Sequence, residues 1–142
     1  FSGLRGRAAT VLVAAAVAAF GLMAMRPAPI TAEPWSPERV EALRAEGRVV
    51  FVNFTADWCV TCKVNERTAL SSPEFVRTLR TIDAVYLVAD WTRRDPVIAE
   101  TLARYGRDGV PLYLVYRPDS SEPVILPQII TSQSVAQALN PS

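Results

Sequence analysis

At 142 residues the chain has room for one ordinary domain and little else. Half of its residues are apolar, generous for a domain surrounded by water, and the charge is unevenly placed: the first 26 residues carry three Arg and no acid, while the rest carry twelve basic and fourteen acidic side chains, a net −2. That mildly acidic, mixed-sign portion has no nucleic-acid footprint, and two cysteines with no histidine argue against an intramolecular zinc site, which wants four ligands.

The apolar excess is concentrated in Ala8 to Met25, eighteen residues without a charge. As a helix this run would span about 27 Å at ~1.5 Å per residue, close to a hydrocarbon core of ~30 Å. Arg5 and Arg7 precede it and Arg26 follows, a bias that puts the remaining residues on the non-cytoplasmic side. A secretory signal ending near Ile30-Thr31-Ala32 is the competing reading. The length of the run favours a membrane-spanning helix over 1–26, and the start at Phe1 rather than Met suggests a piece of a longer protein. Both readings export the domain to a compartment that tolerates disulfides.

Arg26-Pro27-Ala28-Pro29 cannot continue a helix, so 27–34 reads as a linker and 35–142 as the folded domain. Ser36-Pro37-Glu38 starts a helix, with Ser36 as N-cap, Trp35 packing on Val40, and Gly47 as C-cap. Val49 to Phe54 is apolar on both faces except at Asn53, as expected of a central strand covered on both sides. A helix follows from about Cys59 to Leu70, and Ser72-Pro73-Glu74 opens another to Arg80. Ala84 to Ala89 is a second buried strand, and Asp95-Pro96 caps a helix bearing Val97, Ile98, Leu102 and Tyr105. Leu112 to Tyr116 and Val124 to Leu126 are strands, and Thr131 or Ser132 caps a final helix. Alternating elements followed by a terminal hairpin indicate an α/β domain with a mixed sheet and helices on both faces.

The chemistry is concentrated in Trp58-Cys59-Val60-Thr61-Cys62-Lys63, which holds both cysteines. A cysteine in the first turn of a helix has its thiolate stabilised by unpaired N–H groups and the helix dipole. A second cysteine one turn on can close a disulfide with it, a reversible two-electron switch. A purely structural bridge is the plainer alternative, but so short a loop constrains the unfolded chain little. Cys59 is the expected attacking thiol and Cys62 the resolving one.

Trp-Cys-x-x-Cys-Lys after a buried strand, with Val110-Pro111 opening a later one, resembles the thioredoxin fold. The run Phe51 to Glu66, with Ala89-Asp90-Trp91-Thr92 and Gly109-Val110-Pro111, resembles more narrowly the C-terminal periplasmic domain of DsbD-type thiol:disulfide interchange proteins, including their copper-sensitivity branch. The resemblance implies a protein-disulfide reductase on the periplasmic face of the bacterial inner membrane. An upstream membrane domain would donate electrons, a periplasmic disulfide-bearing protein or domain would receive them, and the apolar run would be the last membrane helix. No cofactor is implied beyond the Cys59–Cys62 pair itself, and no metal.

The resemblance also assigns roles. Pro111 matches the cis-proline beside the cysteine pair, and the backbone of Val110 would pair with an incoming partner strand. Trp58 would line the approach to Cys59. Asp57 would shape the local field or simply be a solvated loop acid, and Lys63 would lie at the surface. Asn53 departs from thioredoxins and many DsbD-type domains, which carry a buried aspartate there. Glu66, four residues after Cys62 and on its helical face, is then the residue expected to retain a carboxylate role. Three rival functions stand beside this reading: a free-standing anchored or secreted thioredoxin-like protein, for instance in cytochrome c maturation; an oxidase on the same scaffold; and a module holding Cu(I) between the two thiolates.

Overall fold

The computed structural model describes residues 30–140. The expected membrane helix over 1–26 and the first part of the linker lie outside them. Among the described residues no helix is long and apolar enough to cross a membrane.

The elements run β1 (Glu33–Pro34), α1 (Pro37–Ala45), β2 (Val50–Thr55), α2 (Val60–Thr68), α3 (Pro73–Thr81), β3 (Val85–Asp90), α4 (Pro96–Arg104), β4 (Leu112–Tyr116), β5 (Val124–Leu126) and α5 (Ser132–Leu139). Five strands form one mixed sheet in the order β1-β3-β2-β4-β5. β3 is parallel to β1 and β2, while β4 is antiparallel to β2 and β5.

Local chemistry sets the helix starts. Ser36, Ser72 and Asp95 each accept a backbone N–H of the following first turn, and each is followed by a proline whose missing N–H costs nothing there. Thr131 and Ser134 form a reciprocal capping box at the start of α5. Gly47 and Gly106 follow α1 and α4 with φ of +71° and +68°, the left-handed conformation in which a side chain would be strained.

One expectation is corrected here. Glu33 and Pro34 are not linker but an edge strand, in register with Leu87 and Val88 of β3, and the Trp35 N–H continues the contact to the Val88 carbonyl at 2.9 Å. Pro34 is tolerated because an edge strand leaves one side of its backbone unpaired.

The period-two alternation of β2 and β4 divides the core into two layers. Val52, Phe54, Leu112 and Leu114 face α1 and α4, packing with Val40, Leu43, Ile98 and Leu102. Phe51, Tyr113 and Val115 face the other way, against Phe75, Leu79, Val135 and Leu139. Phe51 is fully buried among the rings of Phe75, Tyr86 and Tyr113, at centroid distances of 5.3, 5.6 and 6.2 Å. A buried phenylalanine so placed contributes about 3–5 kcal/mol against truncation to alanine. β3 is buried on one face only: Tyr86 and Val88 are half-buried and overlook a cleft on the second layer's side.

Candidate active site

β2 ends at Thr55, and the turn Ala56–Cys59 delivers the chain into α2 at one end of the sheet. Cys59 is not inside the helix but is its N-cap, with extended backbone, and the Cys62 N–H points at its sulfur at 3.2 Å. The two cysteines are joined by a disulfide, their Cα atoms 5.3 Å apart. Cys59 is 7% exposed and Cys62 is fully buried, so an approaching group meets Cys59 first. Both pack against Ala56 and Val110.

The Val110–Pro111 peptide bond is cis. It lies just before β4, with Pro111 buried, and the Val110 carbonyl oxygen lies 3.9 Å from the Cys59 sulfur. Val110 therefore sits beside the reactive pair and outside the β4 ladder, which begins at Leu112.

Trp58 stands at the rim with about half of its surface exposed, and its indole N–H donates to the Thr92 carbonyl at 3.2 Å. The Arg94 guanidinium lies 4.7 Å from the Trp58 ring centroid and 4.8 Å from that of buried Trp91. Cation–π contacts of this kind contribute about 0.5–1 kcal/mol each at exposed sites. Asp57 itself is exposed, but its backbone N–H donates to the Thr92 hydroxyl at 2.9 Å, tying the cysteine turn to the loop after β3. Asp90 accepts both the hydroxyl and the backbone N–H of Thr92, and these bonds hold its carboxyl below the usual range.

Glu66 and Asn53 form a second group, in a cleft of about 370 Å³ that Thr55, Lys63 and Tyr86 also line. The Glu66 carboxylate accepts the Thr55 hydroxyl at 2.6 Å, the Lys63 ammonium at 3.0 Å and the Asn53 amide at 3.4 Å. Burial pushes its carboxyl up, but the bonds from Thr55, Lys63 and Asn53 outweigh that and leave it below the ordinary glutamate range. Glu66 is thus a fixed negative charge and not a freely solvated helix acid. Lys63, expected at the surface, is only one-third exposed because it spans Glu66 and, at 3.7 Å, Asp57.

Asn53 is buried, and its amide also donates to the Tyr86 hydroxyl at 3.1 Å. Its carbonyl oxygen has no hydrogen-bond partner among the described residues. Burial pushes the Tyr86 phenol up to about 12, so it stays neutral. A cluster of three or more His, Cys, Asp or Glu able to hold a metal is absent among the described residues. A groove of about 400 Å³ between α1 and α4, lined by Glu41, Arg44, Glu100, Arg104 and Tyr116, contains none of these site residues.

Cys59, Cys62 and Val110 thus come together, Trp58 borders them, and Glu66 with Lys63 and Asp57 lies to one side. Thr55 and Thr92 entered the sequence reading only as members of the runs that carry the resemblance, without roles, and Tyr86 and Arg94 were missed; nothing in their spacing connects them to Cys59.

Known proteins are similar to this chain in sequence and fold. Residues 31–118 match the family model described as Thioredoxin-like. The thiol:disulfide interchange protein DsbD of Pseudomonas fluorescens is 36% identical over 83 residues, 58% of this chain and 14% of that protein. The chain therefore matches only about one-seventh of the length of this relative. The reduced DsbD c-terminal domain of Neisseria meningitidis superposes with a TM-score of 0.54 at 26% identity, over 68% of this chain and 84% of that domain. A thioredoxin from Thermus thermophilus shares the fold, with a TM-score of 0.59 at 22% identity over 78% of this chain and 84% of its own. The chain belongs to the thioredoxin-like family, as a CxxC-bearing thiol:disulfide oxidoreductase-type domain homologous to the C-terminal domains of DsbD proteins.

Proposed function

We propose that this chain is a reducing station in a thiol–disulfide relay, taking electrons from a membrane-embedded donor and passing them to disulfide-bearing partners in the periplasm. The observation that carries the reading is the unequal exposure of the pair, with Cys59 as N-cap retaining 7% exposure and Cys62 fully buried behind it.

In the reduced form the Cys59 thiolate attacks one sulfur of a partner disulfide. A mixed disulfide forms, and the other partner sulfur leaves as a thiolate that takes up a proton. The Cys62 thiolate then attacks the Cys59 sulfur, closing Cys59–Cys62 and releasing the second partner thiol. Two electrons have moved to the partner, and the reverse sequence with a donor dithiol restores the pair. The rate depends on thiolate fraction and nucleophilicity together.

The neighbours have parts in this scheme. Val110 offers backbone to an incoming strand beside Cys59, with Pro111 holding that backbone clear of the sheet. Trp58 borders the approach. Glu66, one turn beyond Cys62 on α2, supplies a fixed negative charge, and Asp57 is linked to it through Lys63. The apolar run over 1–26 tethers the domain to the inner membrane, and the membrane domain of a DsbD-like protein is the donor.

The test is the equilibrium reduction potential of the 142-residue chain against glutathione and dithiothreitol series. A value below about −200 mV, toward the thioredoxin end, supports a donor of electrons, whereas a value near about −120 mV would make the protein an oxidant and overturn the reading.

A further inference from the structure

The loop between β3 and α4 places one cation against the rim of the site. The Trp58 and Trp91 ring centroids are 6.0 Å apart, and the Arg94 guanidinium lies within 5 Å of both. Both rings are held by the loop itself: Trp58 donates to the Thr92 carbonyl and Trp91 to the Asp95 carbonyl, each at 3.2 Å. The carboxylates nearby are occupied. Asp95 caps α4, Asp90 holds Thr92, and Asp57 faces Lys63. Arg94 is exposed, and among the described residues its guanidinium makes no ion pair.

The Arg94 guanidinium lies over both rings while no carboxylate engages it among the described residues, and its N–H groups form the planar fork that grips a carboxylate bidentately, in a way a lysine cannot copy. Trp58 immediately precedes Cys59, so Arg94, seated over the Trp58 ring, lies on the side of the cysteine turn that carries Trp58. Resting on the exchange reading above, we propose that Arg94 is a specificity-determining residue that selects protein partners carrying a carboxylate next to their reactive cysteine.

Long-range charge does not account for such a selection, which makes it testable. The 142-residue chain is net +1 and its portion from Pro27 onward net −2, so neither field is strong, and a preference for acidic partners that disappears in Arg94→Gln and weakens in Arg94→Lys must be local.

The probes are two short peptide disulfides, identical except that the cysteine is flanked on both sides by Glu in one and by Gln in the other. An uncharged disulfide, bis(2-hydroxyethyl) disulfide, serves as reference. Second-order rates are measured with the pre-reduced 142-residue chain, and each is divided by the rate of dithiothreitol on the same probe to remove intrinsic reactivity. The expected result is a normalised preference for the Glu peptide of about fivefold at low salt, the upper end for an exposed ion pair, shrinking as salt is added. Arg94→Gln should bring the ratio to about one, and Arg94→Lys, which keeps the charge without the fork, should leave an intermediate ratio. A ratio of one or less in the unsubstituted chain overturns the proposal, as does a ratio undiminished in Arg94→Gln. If Arg94→Gln does not fold, a preference in the unsubstituted chain that survives 0.5 M salt and Arg94→Lys unchanged overturns it instead. Inertness toward all three disulfides would sink the exchange reading itself, whereas reduction of the uncharged disulfide without Glu preference sinks the Arg94 proposal alone.

Discussion

The Cys62 backbone N–H lies 3.2 Å from the Cys59 sulfur, so the sulfur occupies the acceptor position that a serine or aspartate oxygen takes at other helix starts in this chain. Cys59 thus caps the helix and keeps the pair's only exposed surface, 7%, while Cys62 is fully buried. In the reduced protein, alkylation by iodoacetamide should modify Cys59 faster than Cys62 by on the order of tenfold or more, because reaction follows thiolate character and exposure. Cys62→Ser should accumulate a mixed disulfide with a peptide disulfide, visible by mass spectrometry, and Cys59→Ser should accumulate none. The reverse pattern would exchange the two roles.

Glu66 ties the cysteine helix to β2 through Thr55 and Asn53. Glu66→Gln keeps an acceptor for Thr55 but loses the charge facing Lys63. The expected loss is about 0.5–1.5 kcal/mol of unfolding free energy at pH 7. The sign with pH follows from a depressed carboxyl: its contribution is present above the ordinary glutamate value of about 4.3 and is lost as pH falls through the lower folded value. Urea titrations of both proteins should therefore converge below about pH 4.3, the ordinary glutamate value. The chemical role has a separate readout. If Glu66→Gln leaves the exchange rate and its pH profile unchanged, Glu66 is a structural tie only.

Asn53 shows what an amide does beside an ionised Glu66. Its amide nitrogen donates to both Glu66 and the Tyr86 hydroxyl, so it fits against an ionised Glu66 where a second carboxylate would not. Asn53→Asp should replace that donor by an oxygen facing the Glu66 oxygen. The expected cost is on the order of 1–3 kcal/mol at pH 7, from a buried acceptor left unmatched and a like charge. The introduced carboxyl should titrate above its unfolded value of about 3.9, sharing one proton with Glu66. The native state then binds more protons than the unfolded one, so stability should fall as pH rises from about 4 through the raised value. Equal stability of the two proteins from pH 5 to 8 would contradict this account.

These contacts mark the boundary of what was legible in the chain. Ser36-Pro37, Ser72-Pro73 and Asp95-Pro96 announce their helices because a cap and a proline act on their own neighbours. β4 and β5 fall where their apolar runs do, and the alternation in β2 separates the two core layers. Cys59 and Cys62 were readable because their chemistry depends on local spacing. β1 was not, since two residues ending in proline carry no period and become a strand only against the free edge of β3. Thr55 with Glu66, Asn53 with Tyr86 and Trp58 with Arg94 meet across elements separated by 11 to 36 residues, where no periodicity can reach. Lys63, read as a surface residue, is one-third exposed and its partners are local, three residues ahead on α2 and in the preceding turn.

Asn65 is another polar group that spacing could not assign. Buried on α2, it donates to the Tyr113 hydroxyl at 2.8 Å and the Gln128 carbonyl at 2.7 Å, and accepts the Ile130 N–H at 3.5 Å. One side chain thus joins the cysteine helix to β4 and to the connection between β5 and α5. Asn65→Ala removes the donor to both oxygens and leaves Tyr113 and Gln128 to find other partners in a largely apolar layer. The expected destabilisation is about 2–3 kcal/mol, read as a lower urea midpoint with an unchanged slope. Hydrogen exchange at Ile130 should accelerate more than at β2, because the connection loses its tie to α2 while the central ladder keeps its own. A uniform acceleration across both would mean that Asn65 contributes only to global stability and does not hold this connection locally.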